Sequence, residues 1–519
     1  MRVRLLLAGC LLGLRCQAAC LISGAVFDST TGKPLPSSKV YAKRQNNAKV
    51  SILRLTNEEG RFCFEHLEPD RYRVVIDRPG YLTTVYGAKP GAEDGMTFTV
   101  DGNIETPPLT FRLLRTAAIS GTVLDAAGEP REGVRVELDR KAWGKGWRRD
   151  EVDSVITDDR GIFRFALLPP GVYYAAVQPA RAERSYLDEH GQPIRKIEAT
   201  TYYSNSPTFT RATPISLEAG REVENLILTA EPVFPRRLSG RLGPSVPVEG
   251  PRRIFIQAEG ERVIDLNLQQ DGTFSRENLA PGKYRITFFG VATSITSNVD
   301  LTSGDVEGIV IGTEPRFHLP FSIRVEGPAP ELSIQLLALN LADSSDHASS
   351  LDKGEYRFAS LQPGTYAVYT RKYFVKSVTI DRQPKNPQAL DLRDGQSGAV
   401  EIVLRPNAAR IQGHIDRGAP ELATTVILID EALSGVEVSS DTVVADQTGD
   451  FKFESLAPGK YRLLAIEGFD GASWGSPELV TVLRDKSVVM DLKETDNQSI
   501  TVPVISDSEW TAALRKIGM

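Results

Sequence analysis

The stretch Asp158–Tyr174, DDRGIFRFALLPPGVYY, decides the fold of this chain. Its polar opening and Gly161 make a turn, and Phe163 and Phe165 then alternate as on one side of a strand. Leu168 ends that strand, Pro170-Gly171 turns the chain, and Tyr173 opens the return strand with Ala175 two residues on. The same spelling recurs without gaps. Counting from Gly161, equivalent glycines stand at Gly60, Gly272, Gly354 and Gly449. Two residues on come Phe62, Phe274, Tyr356 and Phe451; seven on, Leu67, Leu279, Leu361 and Leu456; twelve on, Tyr72, Tyr284, Tyr366 and Tyr461. Five copies at fixed spacing identify a repeated β-hairpin. The tyrosine suits its corner because the ring can be buried while the hydroxyl reaches backbone or water at the rim.

Working outward, an opening strand precedes each hairpin: Ile22-Ser23-Gly24, Ile119-Ser120-Gly121, Leu238-Ser239-Gly240, Ile411-Gln412-Gly413 and a weaker Ser322 to Val325. Two alternating strands follow it, as in Ile215, Leu217, Gly220, Val223, Leu226 and Leu228. About seven short strands then fall in each repeat, which predicts an all-β chain, a tandem array of about five seven-stranded antiparallel β-sandwiches. The expected division is a signal peptide at 1–19, sandwiches at 20–115, 116–233 (with long loops), 234–315, 316–407 and 408–503, and a C-terminal tail at 504–519. In that tail Trp510, Leu514 and Ile517 are spaced for one or two helical turns. The 43 glycines and 32 prolines among 519 residues fit many turns, and 25% charged residues argue against disorder.

Arg2 and Arg4 before the apolar run Leu5 to Leu14, with small residues at Cys16, Ala18 and Ala19, have the order of a secretory signal. The expectation is export to a periplasm or the outside, with no transmembrane span in the mature chain and with lipid anchoring at Cys10 or Cys20 disfavoured. Removal of the signal leaves Cys20 and Cys63, either one disulfide or two unpaired thiols. A net charge of -6, mixed along the chain, gives no reason for a nucleic-acid partner.

The opening ISG strand, the D-x-x-G-x-[FY]-x-F hairpin and L-x-P-G-x-Y resemble the carboxypeptidase regulatory-like domain, a transthyretin-like (prealbumin-like) sandwich related to the B-type repeats of collagen adhesins, here in its exported bacterial form. That resemblance implies an exported structural or binding role. It does not imply peptidase chemistry, because in the parent enzymes a separate domain holds the zinc.

Catalytic signals are absent from the sequence. The histidines, His66, His190, His318, His347 and His414, form no metal-ligand spacing, and neither a G-x-S-x-G elbow nor a phosphate-cradling glycine loop occurs. No enzyme, metal or cofactor is expected. Two unrepeated segments are the candidates for ligand binding. Lys141 to Asp150, KAWGKGWRRD, sets Trp143 and Trp147 among basic residues near a hairpin tip, where indoles stack on sugars or pack on protein. The long segment 180–214 holds Tyr186, Tyr202 and Tyr203. The expected function is a non-catalytic binding or structural protein, with carbohydrate binding or cell-envelope adhesion as its use and a polysaccharide or envelope protein as its partner. The alternative is a secreted glycan or peptide hydrolase with carboxylates between domains.

Overall fold

The computed structural model describes residues 20–519 except 46–50, 93–94, 102–105, 145, 179–185, 188–189, 245, 247–251, 259–260, 291–292, 314, 328–333, 342–345, 353–354, 371–372, 396–397, 417–421, 432–439, 447, 470, 472–473 and 518. The expected signal segment, its Cys10 and Cys16, and Gly354 lie outside the described residues. The chain divides after Arg115 into two compact bodies.

Each repeat encloses its own apolar core between two layers of strands, which are separate sheets in the first three repeats and are linked by strand pairing into one sheet of nine strands in the fourth and of seven in the fifth. The repeated stretch read as a hairpin is not one: its two strands, such as Ile162–Leu168 and Gly171–Val177, pair with different neighbours and not with each other, so the turn at Pro170-Gly171 carries the chain from one layer to the other. In the second repeat one sheet has the order Ile162–Leu168, Ala117–Asp125, Glu222–Ala230. The other runs Gly146–Ile156, Arg135–Gly144, Gly171–Val177, with Thr201–Tyr202 and Ile215–Leu217 both pairing with Gly171–Val177. Inward positions alternate along the strands, so Ile119, Val136, Leu138, Phe163, Phe165, Leu168, Tyr173 and Leu228 close one core. Four further cores form in the same way around Phe64, Phe274, Phe358 and Phe453. The protein is all-β in architecture, with two helices and short 3-10 turns among the described residues.

The antiparallel expectation holds with one regular exception. In all five repeats the opening strand pairs in parallel with the closing one, for example Ile22–Asp28 with Leu109–Leu113 and Ala409–Asp416 with Asn497–Ile505. A parallel pair needs a long crossover, and the opposite sheet of the sandwich supplies it.

The opening-strand glycine is explained by its cross-strand partner. Gly24, Gly121, Gly240 and Gly413 stand opposite Phe62, Phe163, Phe274 and Phe451. A Cβ on Gly121 would lie 2.8 Å from Phe163 Cζ and closer still to the carbonyl oxygen of Leu226. Only glycine lets the ring lie flat over the strand. The fourth repeat solves the position differently. Its opening strand begins earlier than the sequence suggests, at Phe317, and puts Phe321 where the others have glycine, opposite Tyr356. Tyr356 is displaced to half-burial and stacks on Phe321, with ring centroids 5.8 Å apart.

At the C-terminus, strand Asn497–Ile505 belongs to the fifth repeat's sheet, so the tail proper is the helix Asp507–Lys516. Ser506 and Glu509 form a capping box at its start. Trp510 and Ala513 then pack with Leu479 of helix Pro477–Leu483 on the outward face of Ile427, Ile429, Leu464 and Ile466.

Candidate functional site

The residues that recur in every repeat are occupied by the fold. All five tyrosine rings are buried, and each hydroxyl donates to the carbonyl four residues earlier. The distances are 2.9 Å from Tyr72 to Glu68, 2.6 Å from Tyr173 to Pro169, 2.7 Å from Tyr284 to Ala280, 2.8 Å from Tyr366 to Gln362 and 2.9 Å from Tyr461 to Ala457. The described turn glycines have positive φ, from 71° at Gly161 to 93° at Gly449. In the same turn Asp158 Oδ1 accepts from the backbone of Arg160 and Ile162. Cys20 and Cys63 are bonded, their Cα atoms 5.5 Å apart, which fastens the start of the described chain to strand Arg61–Phe64 of the first repeat. His66, His190, His318 and His414 are exposed, His347 is buried beside Tyr366, and no group of three metal-ligating side chains occurs among the described residues.

The unrepeated chemistry lies on one hairpin of the second repeat, Arg135–Gly144 paired with Gly146–Ile156. Strand alternation sorts its residues. Val136 and Leu138 face the core, while Arg135, Glu137, Asp139, Lys141 and Trp143 share the outer face with Trp147, Arg149 and Glu151 across the ladder. At the tip, Trp143 and Trp147 meet edge to face at 4.7 Å, and both are half-buried. Lys141 Nζ lies 4.3 Å from the Trp147 ring centre, and burial holds its ammonium below the usual lysine range. Trp143 rests on Gly475 of the fifth repeat, where a Cβ would come within 3.1 Å of Cδ1. One indole therefore packs on a neighbouring repeat, and the other has a cation on its ring.

Toward the hairpin base the outer face becomes a buried charge cluster that meets the third repeat. Glu137, 1% exposed, binds Arg135 at 2.9 Å, Arg149 at 3.2 Å and Arg262 of the third repeat at 2.9 Å. Arg149, 4% exposed, donates to the Tyr202 hydroxyl at 2.8 Å and lies 3.6 Å from Glu261 and 3.8 Å from Asp139. Tyr202 also donates to Glu261, and Arg262 also pairs with Glu151. Burial pushes the Asp139 carboxyl up to about 7 despite Arg149, and it raises Glu261 as well. Burial and the nearby Glu261 carboxylate both raise the Tyr202 hydroxyl. Desolvation works against the charge on Arg149, but Tyr202, Asp139 and Glu261 hold its guanidinium above the usual value.

The tyrosine candidates separate. Tyr202 is fully buried and packs with Tyr174, Ala176 and Phe209 beside the charge cluster. Tyr203 is half-buried against the second core, and Tyr186 belongs to the short strand Tyr186–Leu187. Sequence reading missed Glu137, Asp139, Arg149, Glu261 and Arg262 as a group. Odd-numbered alternation in RVELDRKAW marks the first two as outward, but nothing local marks them as buried.

Two open cavities occur elsewhere. One of about 400 Å³ is lined by Glu326, Phe374, Arg405 and Glu494, and one of about 380 Å³ by Ser239, Arg241, Gln269 and Phe274. In the first, Glu326 is already bound by Lys376, Arg324 and Arg405.

Residues 21–101 and 118–189 match the carboxypeptidase regulatory-like domain, so the resemblance carried by the repeated stretch holds for these two repeats. No curated protein matches the chain. Among solved structures, the chain is similar to the TIE protein of Bacillus anthracis at 11% identity and a TM-score of 0.17, over 93% of this chain and 73% of that one. It is also similar to GBS52, the minor pilin of Streptococcus agalactiae, at 14% identity and a TM-score of 0.23, over 44% and 99%. With BcpA, the major pilin subunit of Bacillus cereus, the values are 10% and 0.15, over 75% and 99%.

Proposed function

We propose that the protein is an exported, non-catalytic array of β-sandwiches with a structural or adhesive role at the cell envelope, its second repeat carrying the specialised contacts. One observation carries the reading. Residues repeated five times are occupied by turn, core and tyrosine corner, whereas the charged and aromatic residues outside the repeat lie together on one hairpin face. Among the described residues no helix is long and apolar enough to cross a membrane. Export rests on the reading of residues 1–19 as a signal, and the division near Arg115, Glu231, Thr313 and Arg405 rests on the repeat spacing.

Carbohydrate is the ligand class that the Trp143–Trp147 pair and Lys141 favour, through stacking on a ring edge or face that remains accessible. Binding of the full chain to a panel of envelope and plant polysaccharides tests this, beside the Trp143→Ala/Trp147→Ala double variant. Loss of binding in the variant supports the reading. Absence of binding to every glycan removes sugar as the ligand and leaves a protein partner.

A second reading, a secreted hydrolase, has one observation in its favour: Asp139 is a buried carboxyl raised to about 7 with Glu261 close by. Against it, Arg149 and Arg262 bridge the neighbouring carboxylates. Turnover of a glycan or peptide substrate that disappears in Asp139→Asn would establish the hydrolase; an inactive wild type would dismiss it.

A further inference from the structure

The carboxylates of the cluster at the base of the hairpin are unequally paired. Glu137, Asp139, Glu151 and Glu261 face Arg135, Arg149 and Arg262, four carboxylates to three guanidiniums. The least-paired carboxylate is Asp139. It has no exposed surface, neither oxygen accepts a hydrogen bond among the described residues, and its cation, Arg149, stands 3.8 Å away and is shared with Tyr202 and Glu261. A buried carboxylate without hydrogen bonds is costly unless it takes up a proton. The groups around it come from every neighbouring element. Arg135, Glu137 and Lys141 lie on its own strand, Arg149 and Glu151 on the paired strand, Tyr174 opposite on Gly171–Val177, Tyr202 on Thr201–Tyr202, and Glu261 and Arg262 on the loop of the third repeat.

We propose that this cluster is a proton-operated joint between the second and third repeats, in which protonation of Asp139, assisted by Glu261, locks the Glu261-Arg262 loop onto the hairpin, and ionisation releases it. The sign follows from linkage. Asp139 is raised from 3.8 to about 7 and Glu261 is raised too, so the docked state keeps protons that the separated state has released. Docking is then firm at acid pH. It weakens as pH rises across that interval and changes no further above it. Arg149 supplies the fixed positive centre throughout, and Arg262 pairs with Glu137 and Glu151 at the same contact.

The test uses the full chain with spin labels at Arg160→Cys in the second repeat and Arg253→Cys in the third, both positions largely exposed at 72% and 74%. Inter-label distances are measured between about pH 5 and about pH 8. The expected wild-type distribution is narrow at the acid end and at least about twofold broader at the alkaline end. Asp139→Asn, uncharged and of the same shape, should stay narrow throughout, and Glu261→Gln should move the midpoint of broadening upward. Arg149→Gln should be broad at every pH. A wild-type width independent of pH overturns the proposal, as does broadening with the wild-type midpoint in both Asp139→Asn and Glu261→Gln. Because Glu261 belongs to a partly exposed loop of the third repeat, its variant decides the matter even where Asp139→Asn fails to fold.

Discussion

Two stretches of the second repeat, side by side in sequence, use their residues in opposite ways. The repeated stretch, Ile162–Leu168 followed by Gly171–Val177 in the other sheet, turns its aromatic residues inward: Phe163 lies on Gly121, and the Tyr173 hydroxyl closes the corner on Pro169. The neighbouring hairpin, Arg135–Gly144 with Gly146–Ile156, contributes Val136 and Leu138 to the same core but turns outward its ion pairs, which reach the third repeat, and two indoles, of which Trp143 rests on the fifth. Burial alone therefore does not separate scaffold from specialised surface. Each stretch has a buried row, Phe163, Phe165 and Tyr173 covered by their own sandwich and Glu137, Asp139 and the Arg149 side chain covered where the third repeat meets them. What separates them is whether the burying partner is apolar and intramodular or charged and from another repeat.

The comparison predicts a graded series of effects. Phe163→Ala should be the most damaging, lowering the stability of the second repeat by about 3–5 kcal/mol, because a fully buried ring leaves a cavity over Gly121. Trp143 and Trp147 report this repeat by fluorescence during denaturant unfolding, although Trp474 and Trp510 contribute a signal from the fifth. An equal loss from Trp147→Phe would erase the distinction between the two stretches.

Cys63→Ser should follow, costing the first repeat about 2–4 kcal/mol through the freed loop between Cys20 and Cys63. Calorimetry of wild type with and without reductant checks it: the variant should coincide with reduced wild type, and the tryptophan-reported transitions should not move. A smaller effect is expected from Tyr461→Phe. Removing the hydroxyl leaves the Ala457 carbonyl without that donor and should cost about 1 kcal/mol, read as a shift in the fifth repeat's unfolding midpoint. Tyr173→Phe should cost more than Tyr461→Phe, since Arg140 also donates to the Tyr173 hydroxyl at 2.6 Å. Equal losses at both positions would mean that the Arg140 contact contributes nothing measurable.

Trp147→Phe stands last. It keeps an aromatic ring opposite Trp143 under Lys141 and should change stability by less than about 1 kcal/mol. A larger loss would place Trp147 with Phe163 among the residues that build the sandwich.

Most of the scaffold was legible because it is local and periodic. The spacing from Gly161 to Phe163, Leu168 and Tyr173 encodes turn, strand and corner within thirteen residues, and five copies remove the ambiguity of one, whereas the irregularity between Phe165 and Leu168, and the fact that the two strands join different sheets, appear only in the pairing. Where legibility failed, the reason lay across strands. Phe321 replaces the glycine of the fourth opening strand, and only its pairing with Tyr356 reveals that the two positions correspond. The helix after Ser506 was readable from Trp510, Leu514 and Ile517, whereas the apolar face that receives it, Ile427, Ile429, Leu464 and Ile466, was not. The candidate site was half legible. KAWGKGWRRD drew attention to the right hairpin through its tryptophans, but the groups with perturbed protonation lie at the other end of it.

By itself, the sequence determined the fold of each repeat, since glycine, proline and alternating apolar residues act through the φ and ψ of their own segment and through a period of two. Only the tertiary structure decided which charges are buried. Asp139 and Arg149 look like ordinary exposed hairpin residues until Glu261 and Arg262, more than a hundred positions later, close over them. Desolvation depends on what else occupies the surrounding volume, and no local spelling records that.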